Sequence, residues 1–258
     1  MAILRRVKAL ERTAELPKTQ GASQCGAAGG RNLAIMCERY VLPDQAAAER
    51  EFLPAQPWWK FTARFNVAAP QYVPAIRIHD GQSEGTMLRW GLIPSWAEGR
   101  PTGDATVCAE MDRSEGSTIY RMPWLSGQRC ILPVSGFYAW QLTSANYRQP
   151  YFVRLANRTV FGLAAVWDRS VAEDDDVIES CSVIRVPANE LLAGIANSDC
   201  RMPAILRRRD YDTWLRGTPV EAKAALQPYN PAWMQAFAVS PRVNSTEPDD
   251  AGLIRPVH

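Results

Sequence analysis

Residues 129–140 read RCILPVSGFYAW, and this stretch decides the fold class. Its two apolar and aromatic runs, within 128–132 and 136–141, are short and rich in β-branched and aromatic residues, which is typical of strands. From Met36 onward the chain repeats this pattern of short apolar and aromatic runs, and Pro or Gly interrupts the runs about every ten residues. The sequence therefore predicts a β-rich domain.

The same criteria place eight strands and three helices. The predicted strands cover residues 72–78, 85–92, 128–132, 136–141, 151–155, 160–167, 179–186 and 235–239. Helices fit better at 45–52, 189–195 and 210–216, where Asp210 is a candidate N-cap and Gly217 ends the last helix. Residues 219–231 are interpreted as helix and loop. This order predicts an α+β fold, a single domain with a curved, barrel-like, mostly antiparallel sheet and peripheral helices.

Composition excludes several classes of protein. Of 258 residues, 47% are hydrophobic and nine are Trp, which rules out a wholly disordered, collagen-like or coiled-coil chain. No apolar run reaches the roughly 18 residues of a membrane span, so no membrane partner is expected. The histidines are His79 and His258, and the six cysteines form no C-x-x-C pair, so neither a metal nor a cofactor is expected.

The cysteines and the N-terminus favour a cytoplasmic protein. Six unpaired thiols suit a reducing compartment, although three disulfides in a secreted protein are the alternative. Residues 1–35 lack an export signal and hold hardly an aromatic or β-branched residue to build a core, so we expect them to be a disordered extension. They hold six basic and two acidic residues, a local +4, so the domain at 36–258 carries −2 of the net +2. The folded part therefore has no large positive excess for binding nucleic acid.

Several sequence blocks occur in an order more specific than any single residue type. They are MCERY at 36–40, RFNVA at 64–68, RWGLIPSW at 89–96, the block at 129–140, RMPAIL at 201–206 and a closing segment at 239–257. Over residues 36–257 the chain resembles the SRAP family, the SOS response-associated peptidases or abasic-site-processing proteins. The resemblance implies an SRAP-like fold, and the family name implies an autopeptidase, a hydrolase of peptide bonds.

What the resemblance implies is a sensor of abasic sites in single-stranded DNA. Family members begin with Met-Cys, and removal of Met exposes a catalytic Cys, here Cys37. Its thiol and α-amine together capture the sugar aldehyde as a thiazolidine. An α-amine with a pKa of about 7.7–8.0 is substantially neutral at cellular pH, and a thiol with a pKa near 8.5 can close the ring.

Both nucleophiles must lie on one terminal residue. If translation starts at Met1, Cys37 has an amide nitrogen and no thiazolidine can form. The hypothesis is a functional start at Met36, with residues 1–35 either a mispredicted extension or a propeptide that is cleaved before Cys37. The competing interpretation of Cys37 is a small buried hydrophobic residue.

The sequence departs from the family at its supporting catalytic residues. The family's Glu in Gly-Phe-Tyr-Glu-Trp is Ala139 here, and its His two positions before the Arg of Arg-Met-Pro is Asp199. The family's Asn-Ala-Arg segment maps either onto Cys108, Ala109 and Glu110 or onto residues 111–115, and neither register supplies the Asn. Because a positioned acid or base contributes about 10²- to 10⁴-fold, we expect slowed chemistry. In the first register, Glu110 also replaces an Arg that would contact DNA.

Residues at the family's binding positions are better preserved. Arg39, Asn66, Trp96 and Arg201 match positions that line the DNA cleft or its lesion pocket, where Trp96 could stack on a base and the arginines could contact phosphates. The alternatives are that Trp96 caps the core and that Arg201 pairs with a nearby Asp, at 199 or 210.

Three functions stay open at this point. The first is an abasic-site-processing protein, expected to be monomeric, that crosslinks to single-stranded DNA in the DNA damage response. The second is a catalytically impaired module that binds DNA or a protein partner. The third is an accessory protein that uses only the fold. The Arg run at 207–209 is interpreted as a solvated face, the Asp run at 174–176 as an exposed hairpin loop and His79 as a turn residue.

Overall fold

In the computed structural model, the described residues are 38–103, 106–110, 116–144, 147–196 and 200–257. The predictions for Cys37, Asp199 and His258 lie outside these ranges, as do those for residues 1–35 and 111–115.

The described part of the chain forms fourteen strands and five α-helices. The strands are β1 Arg39–Leu42, β2 Gln56–Pro57, β3 Arg64–Ala68, β4 Tyr72–His79, β5 Gln82–Trp90, β6 Cys108–Glu110, β7 Arg129–Val134, β8 Gly136–Leu142, β9 Arg148–Leu155, β10 Phe161–Val171, β11 Val177–Pro187, β12 Arg201–Pro203, β13 Ile205–Leu206 and β14 Met234–Ala238. The helices are α1 Gln45–Phe52, α2 Arg121–Leu125, α3 Glu190–Ile195, α4 Tyr211–Arg216 and α5 Pro219–Ala225.

Five strands close into a ring in the order β11, β10, β7, β4, β5 and back to β11. Four of these pairings are antiparallel, whereas the pairing that closes the ring, β5 with β11, is parallel and sets Trp90 opposite Cys181. The backbone N–H of Gly91 extends this contact by donating to the carbonyl of Cys181 at 2.9 Å. The predicted barrel-like, mostly antiparallel sheet is therefore confirmed.

A second sheet packs beside the ring in the order β14, β9, β8, β1, β3, and all its pairings are antiparallel. Ser135 alone separates β7 of the ring from β8 of this sheet, so the chain passes directly from one to the other. The rings of Tyr40 and Trp90, 5.1 Å apart, join the two layers in one core. The protein is a single β-rich domain in which the second sheet carries the start of β1.

The eight predicted strands are present as β4, β5, β7, β8, β9, β10, β11 and β14, and the three predicted helices as α1, α3 and α4. The predicted helix and loop after Gly217 is also present, as α5 and the turn that follows it. Asp210 precedes α4 as expected but makes no capping hydrogen bond with its side chain. Gly217 ends that helix, with its N–H donating to the carbonyl of Thr213.

Several smaller expectations can be compared directly with the structure. His79 ends β4 at a turn formed by Asp80 and Gly81, both with positive φ, and residues 174–176 lie in the exposed β10–β11 hairpin loop. Cys108, Cys130 and Cys181 are buried and lie outside any disulfide, but Cys200 is disulfide-bonded, so the expectation of unpaired thiols is wrong there. No helix in the described ranges is long and apolar enough to cross a membrane.

Candidate functional site

Arg39, at the start of β1, anchors the C-terminal segment to the second sheet. Its Nη1 donates to Asn66 Oδ1 and to the carbonyl of Ser245, both at 2.9 Å, and its Nη2 donates to the carbonyl of Asn244 at 3.0 Å. Burial lowers the pKa of the guanidinium, an effect that the neighbouring Glu38 partly opposes. The structure thus gives Arg39 a positioning role. Phosphate contact by Arg39 stays a prediction.

Asn66 lies on β3 with its side chain fully buried. Its Oδ1 accepts from Arg39, while its Nδ2 donates to the carbonyls of Ser245 and Pro248, each at 2.8 Å. The backbone N–H of Asn66 donates to Asp249 Oδ1 at 3.0 Å. The side-chain amide of Asn66 has three hydrogen-bond partners, and these contacts help to hold residues 244–249 against β1 and β3. We call this group of contacts the Arg39 cluster.

Ala139, at the family's Glu position, is completely buried on β8. It lies two residues beyond Phe137, which pairs with Tyr40, so it lies beside the end of β1 that leads back to Cys37. The next residue, Trp140, donates its indole N–H to Asn244 Oδ1 at 2.8 Å and so ties β8 to the Arg39 cluster. The methyl group of Ala139 leaves no acid or base at this position.

Glu110 ends β6 between two arginines. Its Oε1 accepts from Arg185 Nη2 at 2.7 Å, and its Oε2 lies 3.9 Å from Arg201 Nη2. Arg185 is buried near the C-terminal end of β11, opposite Glu110 on one side and Pro203 of β12 on the other. In the first register of the family's Asn segment, Glu110 places a carboxylate where the family has a DNA-contacting cation. We call Glu110, Arg185 and Arg201 the Glu110 cluster.

Tyr120 supports the strand that carries Glu110. Its hydroxyl donates to the carbonyl of Cys108 and accepts from the hydroxyl of Ser182, both at 3.3 Å. Burial raises the pKa of Tyr120 to about 12, so the phenol stays neutral at physiological pH. The buried thiol of Cys108 occupies the family's Asn position in this register.

Trp96 is 57% exposed in the turn that follows β5, which argues against a purely core-capping role. Its indole N–H donates to the carbonyl of Thr118 at 3.2 Å, which ties the ring to the segment that leads into Tyr120. An exposed aromatic ring with a tethered edge has the geometry of a stacking platform for a base.

Helix α3 contacts one strand near each cluster. It contacts both β8, which carries Ala139, and β12, which begins with Arg201. Gln141 Nε2 donates to the carbonyl of Gly194 near the end of this helix, at 3.1 Å. The structure therefore brings Arg39 together with Asn66, and Arg201 together with Glu110. Helix α3 contacts β8, which pairs with β1, and β12, which carries Arg201.

Sequence reasoning missed Arg185 and Tyr120. The available signal was the charge of Arg185 within the apolar run 183–186, because a buried guanidinium needs a carboxylate or several acceptors. The sequence could not indicate that Glu110 would supply that carboxylate, since β6 and β11 are far apart along the chain.

Residues 36–246 match the family described as SOS response associated peptidase (SRAP). The chain belongs to this family. An SRAP relative, the abasic site processing protein YoqW of Bacillus subtilis, is 30% identical over 215 residues, which cover 82% of this chain and 90% of YoqW. YoaM, an abasic site processing protein from the same organism, is 30% identical over 230 residues, covering 85% of this chain and 97% of YoaM.

More distant SRAP relatives share the domain. The abasic site processing protein HMCES of Pongo abelii is 29% identical over 202 residues, covering 66% of this chain and 56% of HMCES. A crystal structure of a Bacteroides thetaiotaomicron protein superposes with a TM-score of 0.77 at 22% identity, covering 86% of this chain and 100% of that one. The latter comparison supports the SRAP fold alone.

Proposed function

We propose that this chain binds single-stranded DNA and crosslinks to abasic sites through Cys37 as the mature N-terminal residue. The observation that carries the proposal is the family match, which begins at residue 36, immediately before Cys37. The exposed ring of Trp96 supports base stacking, worth about 1–3 kcal/mol per base.

The proposed reaction needs no cofactor. The neutral α-amine of Cys37 attacks the C1′ aldehyde of the ring-opened abasic sugar, and loss of one water gives an imine. The thiol then adds to the imine carbon while its proton passes to the nitrogen, which closes the thiazolidine. The net change is two new bonds to C1′ and one released water, with no oxidation or reduction.

At position 139 the chain has no acid or base that could transfer a proton. Ala139 has no ionisable group, and Glu110 is held by Arg185 and Arg201. We therefore propose that capture by this chain is slower than the family's full catalytic set would allow, by a factor of about 10²–10⁴ for one lost acid or base.

A DNA- or protein-binding module without turnover is the second candidate. The complete burial of Ala139 favours it, because this position presents a buried apolar side chain and no acid or base. This candidate differs from the first in forming no covalent bond with DNA.

Incubation with an abasic single-stranded oligonucleotide, followed by denaturing electrophoresis, separates them. We expect a heat-resistant shifted band for chain 36–258 after Met removal, and no band for a chain that retains Met1. Cys37→Ala should abolish the band, whereas Cys181→Ala, which removes a buried thiol of the ring, should keep it. Retained affinity for intact strands without any band would select the binding module.

Restoring the family's side chains tests the slowed chemistry. Ala139→Glu combined with Asp199→His should raise the rate of crosslinking or release at least tenfold over Ala139→Gln combined with Asp199→His, because Gln has the same shape but carries no titratable proton. Equal rates for the two double variants would show that a carboxylate at position 139 does not contribute, and would contradict this explanation of the slow rate.

A further inference from the structure

Three buried polar side chains on the ring face the segment 93–99, which carries Trp96 and which we call the Trp96 turn. They are Asp168 and Ser170 on β10 and Ser180 on β11. Asp168 lies directly opposite Ser180 in the pairing of the two strands, and Ser170 lies two residues further along β10 on the same face. Because buried polar groups need hydrogen-bond partners, each of the three requires an explanation. We call them the polar row.

Each member of the polar row accepts a hydrogen bond from a backbone N–H of the Trp96 turn. The three contacts are Ser95 N–H to Asp168 Oδ2 at 2.9 Å, Gly99 N–H to Ser170 Oγ at 2.9 Å and Ile93 N–H to Ser180 Oγ at 2.7 Å. Two of the donors precede Trp96 in the chain and one follows it. The polar row therefore holds the backbone on both sides of Trp96.

Asp168 makes the contact nearest to Trp96, because its partner Ser95 is the preceding residue. Its second oxygen, Oδ1, accepts from the backbone N–H of Arg169 at 2.8 Å and from Gln128 Nε2 at 3.2 Å. An ionised carboxylate has acceptors only, so it can serve all three donors at once. These contacts orient the carboxylate toward the Trp96 turn.

The ring of Trp96 is exposed although its backbone is held. Residues Ser95–Ala97 form a single 3₁₀ turn, and the indole N–H donates to the carbonyl of Thr118 at 3.2 Å. A platform that is already in position loses little conformational entropy when a base stacks on it. A buried side chain that fixes the Trp96 turn can thus affect the affinity for DNA without contacting DNA.

We propose that Asp168 is a positioning residue for base stacking by Trp96. Its carboxylate holds the N–H of Ser95 and so fixes the backbone from which the Trp96 ring projects. The inference rests on the proposed function, because it takes Trp96 to stack on a base of single-stranded DNA. It adds that stacking depends on a buried carboxylate of β10.

A double-mutant cycle between Asp168 and Trp96 tests the proposal, with affinity measured by fluorescence anisotropy on two labelled strands. One strand is an intact thymidine oligonucleotide. The other has the same number of phosphates, but its sugars are tetrahydrofuran units that carry neither a base nor an aldehyde. For the intact strand, we expect Trp96→Ala to lower the affinity by about fivefold or more and Asp168→Ala by about threefold or more.

The double variant should bind the intact strand as Trp96→Ala does, to within about twofold, because Asp168 acts through that ring. On the base-free strand, Asp168→Ala should change the affinity by less than about twofold, since no base is present to stack. A general loss of structure would instead lower the affinity for both strands.

Asp44→Ala is the matched control, since Asp44 also offers a carboxylate oxygen to a backbone N–H, that of Ala47 at the start of α1. It should leave the affinity for both strands unchanged. Ser170→Ala, which removes only the acceptor for Gly99, replaces Asp168→Ala if thermal melts show that the latter does not fold. We expect the effect of Ser170→Ala also to disappear when Trp96 is absent.

The inference is wrong if the losses from Asp168→Ala and Trp96→Ala multiply in the double variant, if Asp168→Ala weakens both strands equally, or if a folded Asp168→Ala binds as the wild type does. The crosslinked band through Cys37 is measured separately on a strand with an aldehyde. A normal band with multiplying losses would remove this inference alone, whereas coupled losses without any band would remove crosslinking alone.

Discussion

Asn66 makes three side-chain hydrogen bonds from a fully buried position. Asn66→Ala would leave Arg39 Nη1 with one acceptor fewer and would remove a donor from two carbonyls. We expect a loss of about 2–4 kcal/mol in the free energy of unfolding. Urea denaturation followed by tryptophan fluorescence measures it.

Asn157→Ala is the matched control because Asn157 is exposed, and it should change stability by less than about 0.5 kcal/mol. If Asn66→Ala has as small an effect as this control, the Arg39 cluster does not hold the C-terminal segment in place. The family resemblance implies that Asn66 lines the DNA cleft, and the DNA affinity of the variant tests that prediction in parallel.

The carboxylate of Glu110 neutralises part of the charge of Arg185 and Arg201, so an incoming phosphate must compete with it. Glu110→Gln keeps the shape and a hydrogen-bond acceptor but removes the negative charge. We expect higher affinity for intact single-stranded DNA and a slope of log K against log[salt] that is steeper by about 0.7. Anisotropy titrations between low and physiological salt measure both quantities.

Glu173→Gln is the control for Glu110→Gln, since Glu173 is an exposed carboxylate in an ion pair with Arg100. It should leave the salt slope unchanged. An unaltered slope for Glu110→Gln as well would mean that no DNA phosphate approaches the Glu110 cluster.

At the residue scale, the sequence showed where an ionisable side chain is missing more readily than it showed which side chains pair with one another. The loss of an ionisable group at Ala139 follows from its neighbours Tyr138 and Trp140 without any structure. The pairing of Glu110 with Arg185 does not follow, because it depends on a parallel alignment of β6 and β11 that no local pattern encodes.

Gly136 opens β8 immediately after the chain leaves the ring. A Cβ at this position would meet the carbonyl oxygen of Val153 at 2.6 Å and the ring of Phe152, and the backbone carbonyl of a paired strand cannot move aside. We expect Gly136→Ala to lower the free energy of unfolding by about 2–3 kcal/mol. Gly116→Ala, where nothing lies within 4 Å, is the control.

Equal stability of the two alanine variants in urea denaturation would contradict the close approach of β8 and β9. A fall confined to Gly136→Ala would confirm that the step from ring to second sheet requires a glycine.

Long strands were predictable and short ones were not. Strands such as β10 and β11 contain enough β-branched and aromatic residues for their pattern to be unambiguous. In contrast, β1, β6 and β12 have three or four residues each, and only pairing with distant strands makes them extended. Because these short strands carry Arg39, Glu110 and Arg201, the candidate site was less predictable than the sheet around it.

Burial in the closed ring disfavours the ionisation of two thiols. Cys130 on β7 and Cys181 on β11 are both completely buried, and burial raises the pKa of each thiol. Cys181 also lies in the pairing of β5 with β11 that closes the ring. Their titration therefore reports on whether the ring is closed.

Raised thiol pKa values predict that the protein loses stability in mild alkali. The unfolded chain releases these protons near pH 8.5 whereas the folded chain retains them, so the stability is fully present below that pH and declines above it. At pH 9.5 the loss is about 1.4 kcal/mol per thiol relative to neutral pH. Urea denaturation under reducing conditions at pH 7 and pH 9.5 should show this decline. Cys181→Ala should make the decline smaller by the contribution of one thiol, about 1.4 kcal/mol. If the double variant Cys130→Ala, Cys181→Ala loses as much stability between pH 7 and pH 9.5 as the wild type, then other groups cause the decline. That result would also mean that the ring does not keep its thiols neutral.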